Sequence, residues 1–188
     1  MPSITAAPTT FTSDPSAGTV AWSSPGLAAA SDDLYAIASL GPLESTQRLK
    51  GLGADLAIPA GATILGVEVL VEATADTLSG AAFEFAEVSL VVGGSITGEN
   101  RGGQALGGGE DGDGTLVFGG PTDLWGLALT PAQVAAADFG AVVRVAETTG
   151  AIEGLASVSV DHVQVRVHYA VRALVSRISI GVAIGVGL

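Results

Sequence analysis

The segment 63–73 reads TILGVEVLVEA, and its pattern decides the class of fold. Aliphatic residues recur there at every second position, at Leu65, Val67, Val69 and Val71. A period of two is typical of a β-strand that packs one face on a core and leaves the other face in water. Glu68 and Glu72 hold alternate positions. We therefore expect a strand over 63–73, with both glutamates on its solvated face.

Similar short patterns occur along the chain, separated by segments rich in glycine and proline. The predicted strands are 19–23, 33–40, 47–58 (interrupted by Gly51 and Gly53), 63–73, 84–92, 122–129, 139–145 and 155–169. One short helix is expected, with Thr130 as its N-cap, Pro131 in its first turn and Gln133 completing a capping box. Many short strands without a βαβ rhythm predict an all-β fold. We expect a single antiparallel β-sandwich of the jelly-roll or Greek-key type.

The strand predicted over 155–169 changes its alternation at Asp161-His162. Before that point the inward-facing candidates are Val158 and Val160; after it they are Val163, Val165, Val167 and Tyr169, on the opposite parity. One face cannot bury both sets unless the strand carries an extra residue. A β-bulge or a sharp bend is therefore predicted at Asp161-His162.

The 188 residues suffice for one domain with two tails. Residues 1–18, rich in Pro, Thr, Ser and Ala, are expected to form an extended N-terminal arm, and 19–170 the sandwich. Residues 171–188 are expected to include an apolar strand, whose alternating large residues are Ile178, Ile180, Val182, Ile184, Val186 and Leu188. An exposed apolar strand promotes aggregation, so we expect these six residues to form an interface with another chain or the protein's own sheet. A homo-oligomer is expected, with a trimer favoured.

Composition excludes several classes of partner and chemistry. Seven basic residues against nineteen acidic ones give a net charge of −12, which argues against binding to nucleic acid or anionic membranes. The C-terminal apolar stretch contains Arg177 and is too short for a spanning helix, and residues 1–16 lack the pattern of a signal peptide. The absence of cysteine excludes disulfides, thiolate zinc sites and a cysteine nucleophile.

No catalytic constellation is evident, and we expect neither an enzyme nor a cofactor. Adjacent strand residues point to opposite faces, so Asp161 and His162 form no dyad by adjacency. Glu68 and Glu72 are separated by about 13 Å of strand, beyond the range for paired glycosidase carboxylates. His168 is expected on a solvated or interface face. Trp22 and Trp125 lie among apolar residues and are expected to pack in the core or at an interface.

An acidic, glycine-rich segment, GEDGDG at 109–114, is the one candidate metal site. Glu110, Asp111 and Asp113 could offer oxygen ligands to Ca²⁺, but their spacing departs from an EF-hand loop. An ordinary acidic loop tip is the favoured alternative. The whole region 93–114 is expected to be a long exposed loop. We refer to Glu110, Asp111 and Asp113 below as the acidic tip.

A series of short motifs also resembles a known family. The motifs are WSSP (22–25), ASDDLYA (30–36), IPAGATILGVEV (58–69), VGGSI (92–96), TDLWG (122–126), LTPA (129–132), DFGAVV (138–143), VDHV (160–163) and VHY (167–169). In this order, over roughly residues 20–169, they resemble a diffuse family of tailed-bacteriophage and prophage structural proteins. The resemblance implies a jelly-roll-like sandwich displayed on a virion, with no catalytic residues to carry over. Members of the family occupy several locations in the virion.

The hypothesis favoured at this point is a capsid decoration or cement protein that binds and stabilises the head shell. Such a protein would be made in the cytoplasm of the bacterial host. Its partners would be further copies of itself and the major capsid protein or another virion protein. The alternatives are a tail, neck or fibre component, and a host-surface carbohydrate-binding module.

Overall fold

The computed structural model describes residues 1–75, 80–107, 114–151 and 154–171. Two antiparallel sheets pack face to face, so the predicted all-β sandwich is confirmed. The strands are β1 (Ser3–Ala6), β2 (Thr10–Asp14), β3 (Ala36–Leu40), β4 (Arg48–Leu52), β5 (Ala62–Ala75), β6 (Phe83–Val92), β7 (Ser95–Thr97), β8 (Ala105–Leu106), β9 (Gly114–Gly119), β10 (Gly140–Glu147) and β11 (Ala156–Val171). Two short helical segments, a 3₁₀ turn over Pro25–Ala28 and α1 over Pro131–Val134, complete the described elements.

The connectivity is that of a jelly roll. In the first sheet, β1 and β3 both pair with β11, followed by β5 and then β9. In the second sheet the order is β2-β4-β10-β6, and β7 and β8 both pair with β6. From β3 to β6, and again from β8 to β11, each successive strand crosses to the other sheet. This alternation gives the two interlocked Greek keys of a jelly roll.

The strand registers place the connecting segments at two opposite ends. The lower end carries 53–61, 93–94 and 120–139, and the upper end carries 41–47 and 148–151. β11 runs from the upper end to the lower end, where Val171 pairs with Ala62 at the start of β5. The last described residue, Val171, is therefore at the lower end.

The core lies between the sheets and follows the predicted alternation. Val67, Val69 and Val71 of β5 are fully buried there, as are the inward residues of the facing strand β10. Phe85 and Phe118, from opposite sheets, meet edge to face with ring centroids 5.2 Å apart. Both sheets thus contribute one apolar face to a single core.

The predicted bulge in β11 is confirmed. Pairing with β5 passes from Val160↔Ala73 directly to His162↔Glu72, so Asp161 is the extra residue. Val158 and Val160 before the bulge are fully buried, as are Val165 and Val167 after it. The bulge lies where the neighbour of β11 changes from β3 to β1. It lets one strand bury two valine sets of opposite parity.

A second bulge was not predicted. The pairing passes from His168↔Gly66 to Tyr169↔Ile64, so Leu65 is the extra residue of β5. Ile64 is 4% exposed, whereas Leu65 is only half-buried. The expectation that Leu65 shares the buried face of Val67 is wrong, because it assumed strict alternation through Gly66.

The expected N-terminal arm is corrected by the structure. β1 pairs with β11, and β2 pairs with β4, so residues 3–14 add one strand to each sheet. Phe11 is buried in the core. Thr10 and Thr12 occupy the exposed face of β2. Because the segment is rich in polar residues, its sequence did not indicate an edge strand. Residues 1–18 are therefore not an arm extending from a sandwich that begins at residue 19.

Three other predicted segments differ in detail. The region expected to be a loop from residue 93 contains β7 and β8, and Leu106 of β8 is 4% exposed. The segments 19–23 and 122–129 form isolated bridges and turns instead of strands. The strand expected over 47–58 ends at Leu52, because Gly53 takes a left-handed conformation, with φ of +81°.

The predicted capping box of α1 is confirmed. The Thr130 hydroxyl accepts a hydrogen bond from the Gln133 backbone N–H, and the Gln133 side chain accepts one from the Thr130 N–H. These bonds satisfy donors that a helix start leaves free. In the described part of the chain, no helix is long and apolar enough to cross a bilayer.

Candidate functional site

Asp161 and His162 both lie at the bulge of β11, where the strict alternation of faces is interrupted. Asp161 is 1% exposed, and its carboxylate accepts a hydrogen bond from the Asp32 backbone N–H at 3.4 Å. His162 lies on the outer face of the first sheet, across from Glu72. Ser157 and Ser159 lie in the part of β11 that pairs with β3, before the bulge.

The outer face of the first sheet carries an ion-paired group around Glu68. The Glu68 carboxylate lies 3.0 Å from Arg166 Nη1 and 3.3 Å from His168 Nε2, and the histidine contact has no hydrogen-bond alignment. Arg166 also donates to the Thr5 hydroxyl of β1. Glu68 is only 9% exposed, so the expectation of a solvated glutamate is wrong. The side chains of Arg166 and His168, from the neighbouring strand β11, lie against it.

A charged row crosses the outer face of the second sheet. Arg48 of β4 binds both carboxylate oxygens of Glu87 at 2.8 Å, and Arg144 Nε lies 3.5 Å from the same carboxylate. The hydrogen bonds to Glu87 raise the pKa of Arg48. Glu87 and Ser89 point outward, yet they are only 8% and 4% exposed. The two hydrogen bonds between Arg48 and Glu87 link β4 to β6 across the intervening strand β10.

Lys50 covers apolar surface on the same face. Its ammonium group donates to the Gly94 carbonyl at 2.7 Å, so the side chain extends from β4 towards the β6–β7 turn. Val142 of β10, the cross-strand neighbour of both Lys50 and Ser89, is fully buried although it points outward. The methylene stem of a lysine can cover such a valine while its charge stays at the surface.

The upper end presents two exposed leucines, and a buried carboxylate holds the loop of one of them, Leu43. Glu147 is 3% exposed and accepts hydrogen bonds from the backbone N–H groups of Leu43, Thr149 and Gly150. Burial alone would raise the pKa of Glu147, but hydrogen bonds from Thr149, Leu43 and Gly150 outweigh it and lower the pKa to about 2. The side chains of Leu43 and Leu155 are 71% and 73% exposed. We call this pair of residues the leucine tip.

The conformation of Leu43 is unusual for its residue type. Its φ is +56°, in the left-handed region that glycine and asparagine normally occupy. That conformation costs leucine about 1–2 kcal/mol, and the bond from its N–H to Glu147 holds it in place. An exposed apolar side chain is thus fixed in position by buried hydrogen bonds, as in a preformed contact surface.

The lower end carries a groove beside the edge strand β7, and both aliphatic and polar side chains line it. Its volume is about 230 Å³, and the residues that line it are Val92, Ser95, Thr97, Leu127, Ala128, Leu129 and Gln133. Val92, Leu127 and Leu129 are half-buried and pack on the core. This volume falls below the range typical of small-molecule sites and suits side chains of a protein segment better. We call it the lower groove.

The two tryptophans belong to the core, as predicted. Trp22 and Trp125 are 4% and 0% exposed, and each ring N–H donates to a backbone carbonyl. Trp125 has a φ of +57°, and Arg101 packs over its ring at 5.9 Å while pairing with Asp123. The hydrogen bonds from Arg101 lower the pKa of Asp123. Neither tryptophan offers a surface platform for a sugar.

Two groups of predicted site residues lie outside the described part of the chain. They are the acidic tip and the six large residues of the C-terminal segment, Ile178, Ile180, Val182, Ile184, Val186 and Leu188. Within residues 1–75, 80–107, 114–151 and 154–171, no group of three or more acidic or histidine side chains is placed to hold a metal ion.

No protein-family model matches this chain, and no curated protein matches it with significant similarity. The arrangement of its own residues is therefore the basis for assigning a role. The Glu68–Arg166 and Glu87–Arg48 ion pairs join strands within each sheet, and the exposed features of the described chain include the leucine tip and the lower groove. These features suit binding to another protein.

Proposed function

We propose that this chain is a structural protein of a bacteriophage virion, and specifically a capsid decoration protein that binds and stabilises the head shell. The single observation that carries the proposal is the jelly-roll sandwich. That architecture is common in viral capsid proteins, and the short sequence motifs resemble those of phage structural proteins.

The outer faces of the sandwich support a structural role. Charged side chains there are paired across strands, as Glu68 is with Arg166 and Glu87 is with Arg48. Paired and half-buried side chains tie neighbouring strands together. A subunit that reinforces a shell needs such rigidity more than it needs a cleft.

The leucine tip is the surface that we assign to the shell. Leu43 and Leu155 are among the most exposed large apolar residues of the described chain. The loop of Leu43 is held by Glu147, so little conformational freedom of that loop is lost on binding. The two exposed aliphatic side chains would anchor in an apolar depression of the partner.

Quantitative mass spectrometry of particles from the bacterium that carries the gene tests the proposal. A decoration protein is expected in a copy number comparable to that of the major shell protein. A few copies per particle would assign the chain to the tail or neck instead. Its absence from purified particles would overturn the proposal altogether.

A pair of matched variants tests the assigned surface. Leu43→Asp should weaken binding of the purified chain to shells that lack it by at least tenfold, because a charge would be buried at the contact. Leu34→Asp is the control, since Leu34 is 53% exposed and lies in the segment before β3, outside the leucine tip. Equal losses in both variants, or none in either, would refute the assignment of the tip.

A further inference from the structure

A second cavity at the lower end has the chemistry of a site for a basic side chain, and we propose that it binds a lysine or arginine side chain of another protein. Its volume is about 280 Å³, and it is lined by Thr9, Gly53, Asp55, Ala135 and Ala137. We call it the Asp55 cavity. It lies at the end opposite the leucine tip, so this binding would be independent of the proposed contact with a shell.

The segments that form the Asp55 cavity are held by backbone hydrogen bonds. The N–H of Gly53, a residue with a φ of +81°, donates to the Phe139 carbonyl at 3.0 Å, and the Thr9 N–H donates to the Leu52 carbonyl at 2.9 Å. A Cβ atom added to Gly53 would stand 2.6 Å from Thr9 Oγ1 and 3.7 Å from the Ala137 carbonyl oxygen. These groups therefore surround one point, and a preformed site of this kind loses little conformational freedom on binding.

The polar groups at the Asp55 cavity can all accept hydrogen bonds. The Asp55 side chain is exposed, and no arginine, lysine or histidine of the described chain pairs with it. The Thr9 hydroxyl and the Ala137 carbonyl oxygen likewise make no hydrogen bond with any described residue. A lysine ammonium group carries three N–H donors and an arginine guanidinium group carries five. A basic side chain would therefore supply the donors that these acceptors lack.

The rest of the lining favours the aliphatic stem of a basic side chain. Asp55 is the one charged residue among the five that line the cavity, and the side chains of Ala135 and Ala137 are methyl groups. Lysine and arginine place their methylene stems on apolar surface and keep the charged group at its edge. An acidic ligand would be repelled by Asp55, and an aliphatic one would leave this carboxylate without a counter-charge. The lower groove, in contrast, has no charged residue in its lining.

The charge balance of the chain indicates that the basic side chain comes from a different protein. The chain has nineteen acidic residues and seven basic ones. Every arginine and lysine of the described chain is already paired within the molecule. The pairs are Arg48–Glu87, Arg144–Glu87, Arg101–Asp123, Arg166–Glu68 and, to a backbone carbonyl, Lys50–Gly94. The described residues of a second copy thus offer no free lysine or arginine, whereas a protein with an exposed one has the complementary charge.

An NMR titration of the full-length, ¹⁵N-labelled chain tests the proposal. The probes are lysine, arginine and norleucine, each acetylated at its amino group and converted to the methylamide at its carboxyl group. Norleucine has the carbon stem of lysine without the ammonium group. Shifts of the backbone amides of Gly53, Ala135 and Ala137 report binding. At least one of the two basic probes should bind at least fivefold more tightly than the norleucine probe, because only the basic probes bring a charge to Asp55.

Matched variants separate binding in the cavity from general attraction to an acidic protein. Asp55→Asn should weaken binding of the basic probe at least fivefold. Asp33→Asn is the control and should leave binding within twofold, because Asp33 is also exposed but lies in the segment before β3. Ala135→Leu should weaken binding at least fivefold, since it fills the cavity and keeps the charge. Equal binding by the wild type and Asp55→Asn, or equal binding of the basic and norleucine probes, would overturn the proposal.

Two further measurements test the kind of occupant. n-Butylamine has the stem and the single charge of a lysine side chain, and it should bind no more tightly than the lysine probe. Tighter binding would assign the cavity to a free amine and overturn the proposal. Sedimentation of the wild type and of Asp55→Asn, without any probe, should give the same oligomeric state. A different state in Asp55→Asn would mean that another copy supplies the basic group, which would also contradict the proposal.

Discussion

The bulge in β11 leads to a quantitative prediction about valines on both of its sides. Val160 precedes Asp161, Val163 follows it, and both point into the core despite their opposite parity. Each should therefore be sensitive to truncation. The changes to make are Val160→Ala and Val163→Ala, singly, in the full-length chain.

The expected magnitude follows from burial. Val160 is 0% exposed and Val163 is 1% exposed, so alanine removes two fully buried carbon groups at each site. At about 0.8 kcal/mol for each group, the transfer contribution is about 1.6 kcal/mol, and the cavity left behind raises the loss to at most about 3 kcal/mol. For a chain of this length, the melting temperature should fall by roughly 3–12 °C.

Urea and thermal unfolding, followed by circular dichroism, measure these losses. Val117→Ala is the control, because Val117 lies on the outer face of β9 and is 43% exposed. It should change stability by less than about 0.5 kcal/mol. If Val160→Ala behaved like this control while Val163→Ala was destabilising, the two valines would not share one core, and the bulge would be refuted.

Three further predictions concern acidic residues and the C-terminus. Glu147 has a folded-state pKa of about 2 against an ordinary value of 4.5, so the stability it contributes is complete above pH 4.5 and lost as the pH falls towards 2. The Glu147→Gln variant should be less stable than the wild type at pH 7, and its urea midpoint should fall less steeply as the pH is lowered. A pH dependence identical to that of the wild type would contradict this. Deletion of 178–188 should leave a folded sandwich, because the strands of both sheets pair without this segment. The deletion should change the oligomeric state measured by sedimentation. Unfolding of the variant, or an unchanged oligomeric state, would contradict the prediction. Excess EDTA should shift the melting temperature by less than about 3 °C, because we expect no tightly bound metal ion. A tightly bound ion would raise the melting temperature by several degrees, so a large drop on chelation would identify the acidic tip as a metal site.

The sequence predicted the first bulge but not the second, for a definite reason. On both sides of Asp161, valines alternate with polar residues, so the change of parity is visible. Around the second bulge, Ile64 and Leu65 are adjacent and both aliphatic, so parity cannot indicate which one is buried. The pairing of Tyr169 with Ile64 shows that Leu65 is the extra residue, and this pairing joins residues that are far apart in the sequence.

The edge strands and the buried glutamates depend on contacts between distant residues. β1 and β2 are short and rich in Ser and Thr, and only their pairing with β11 and β4 makes them strands. Glu68 is covered because the register places Arg166 directly beside it. Alternation places a side chain on a face, but it does not reveal what covers that face.

The leucine tip could not be recognised from the sequence either. Leu43 and Leu155 look like any core residue until the loops between strands are placed. The exposure of Leu43 follows from its left-handed backbone and from the bond between its N–H and Glu147. Glu147 itself lies two residues beyond the predicted strand 139–145, where a carboxylate ordinarily suggests solvent.

Imaging of intact particles is the most direct test of the proposed role. Cryo-electron microscopy of particles from the bacterium that carries the gene would compare wild type with a strain in which the gene is deleted. The account predicts jelly-roll density at regular positions on the outside of the head shell, with the leucine tip towards the shell, and its loss in the deletion strain. Difference density confined to the tail, or identical particles from the two strains, would contradict it.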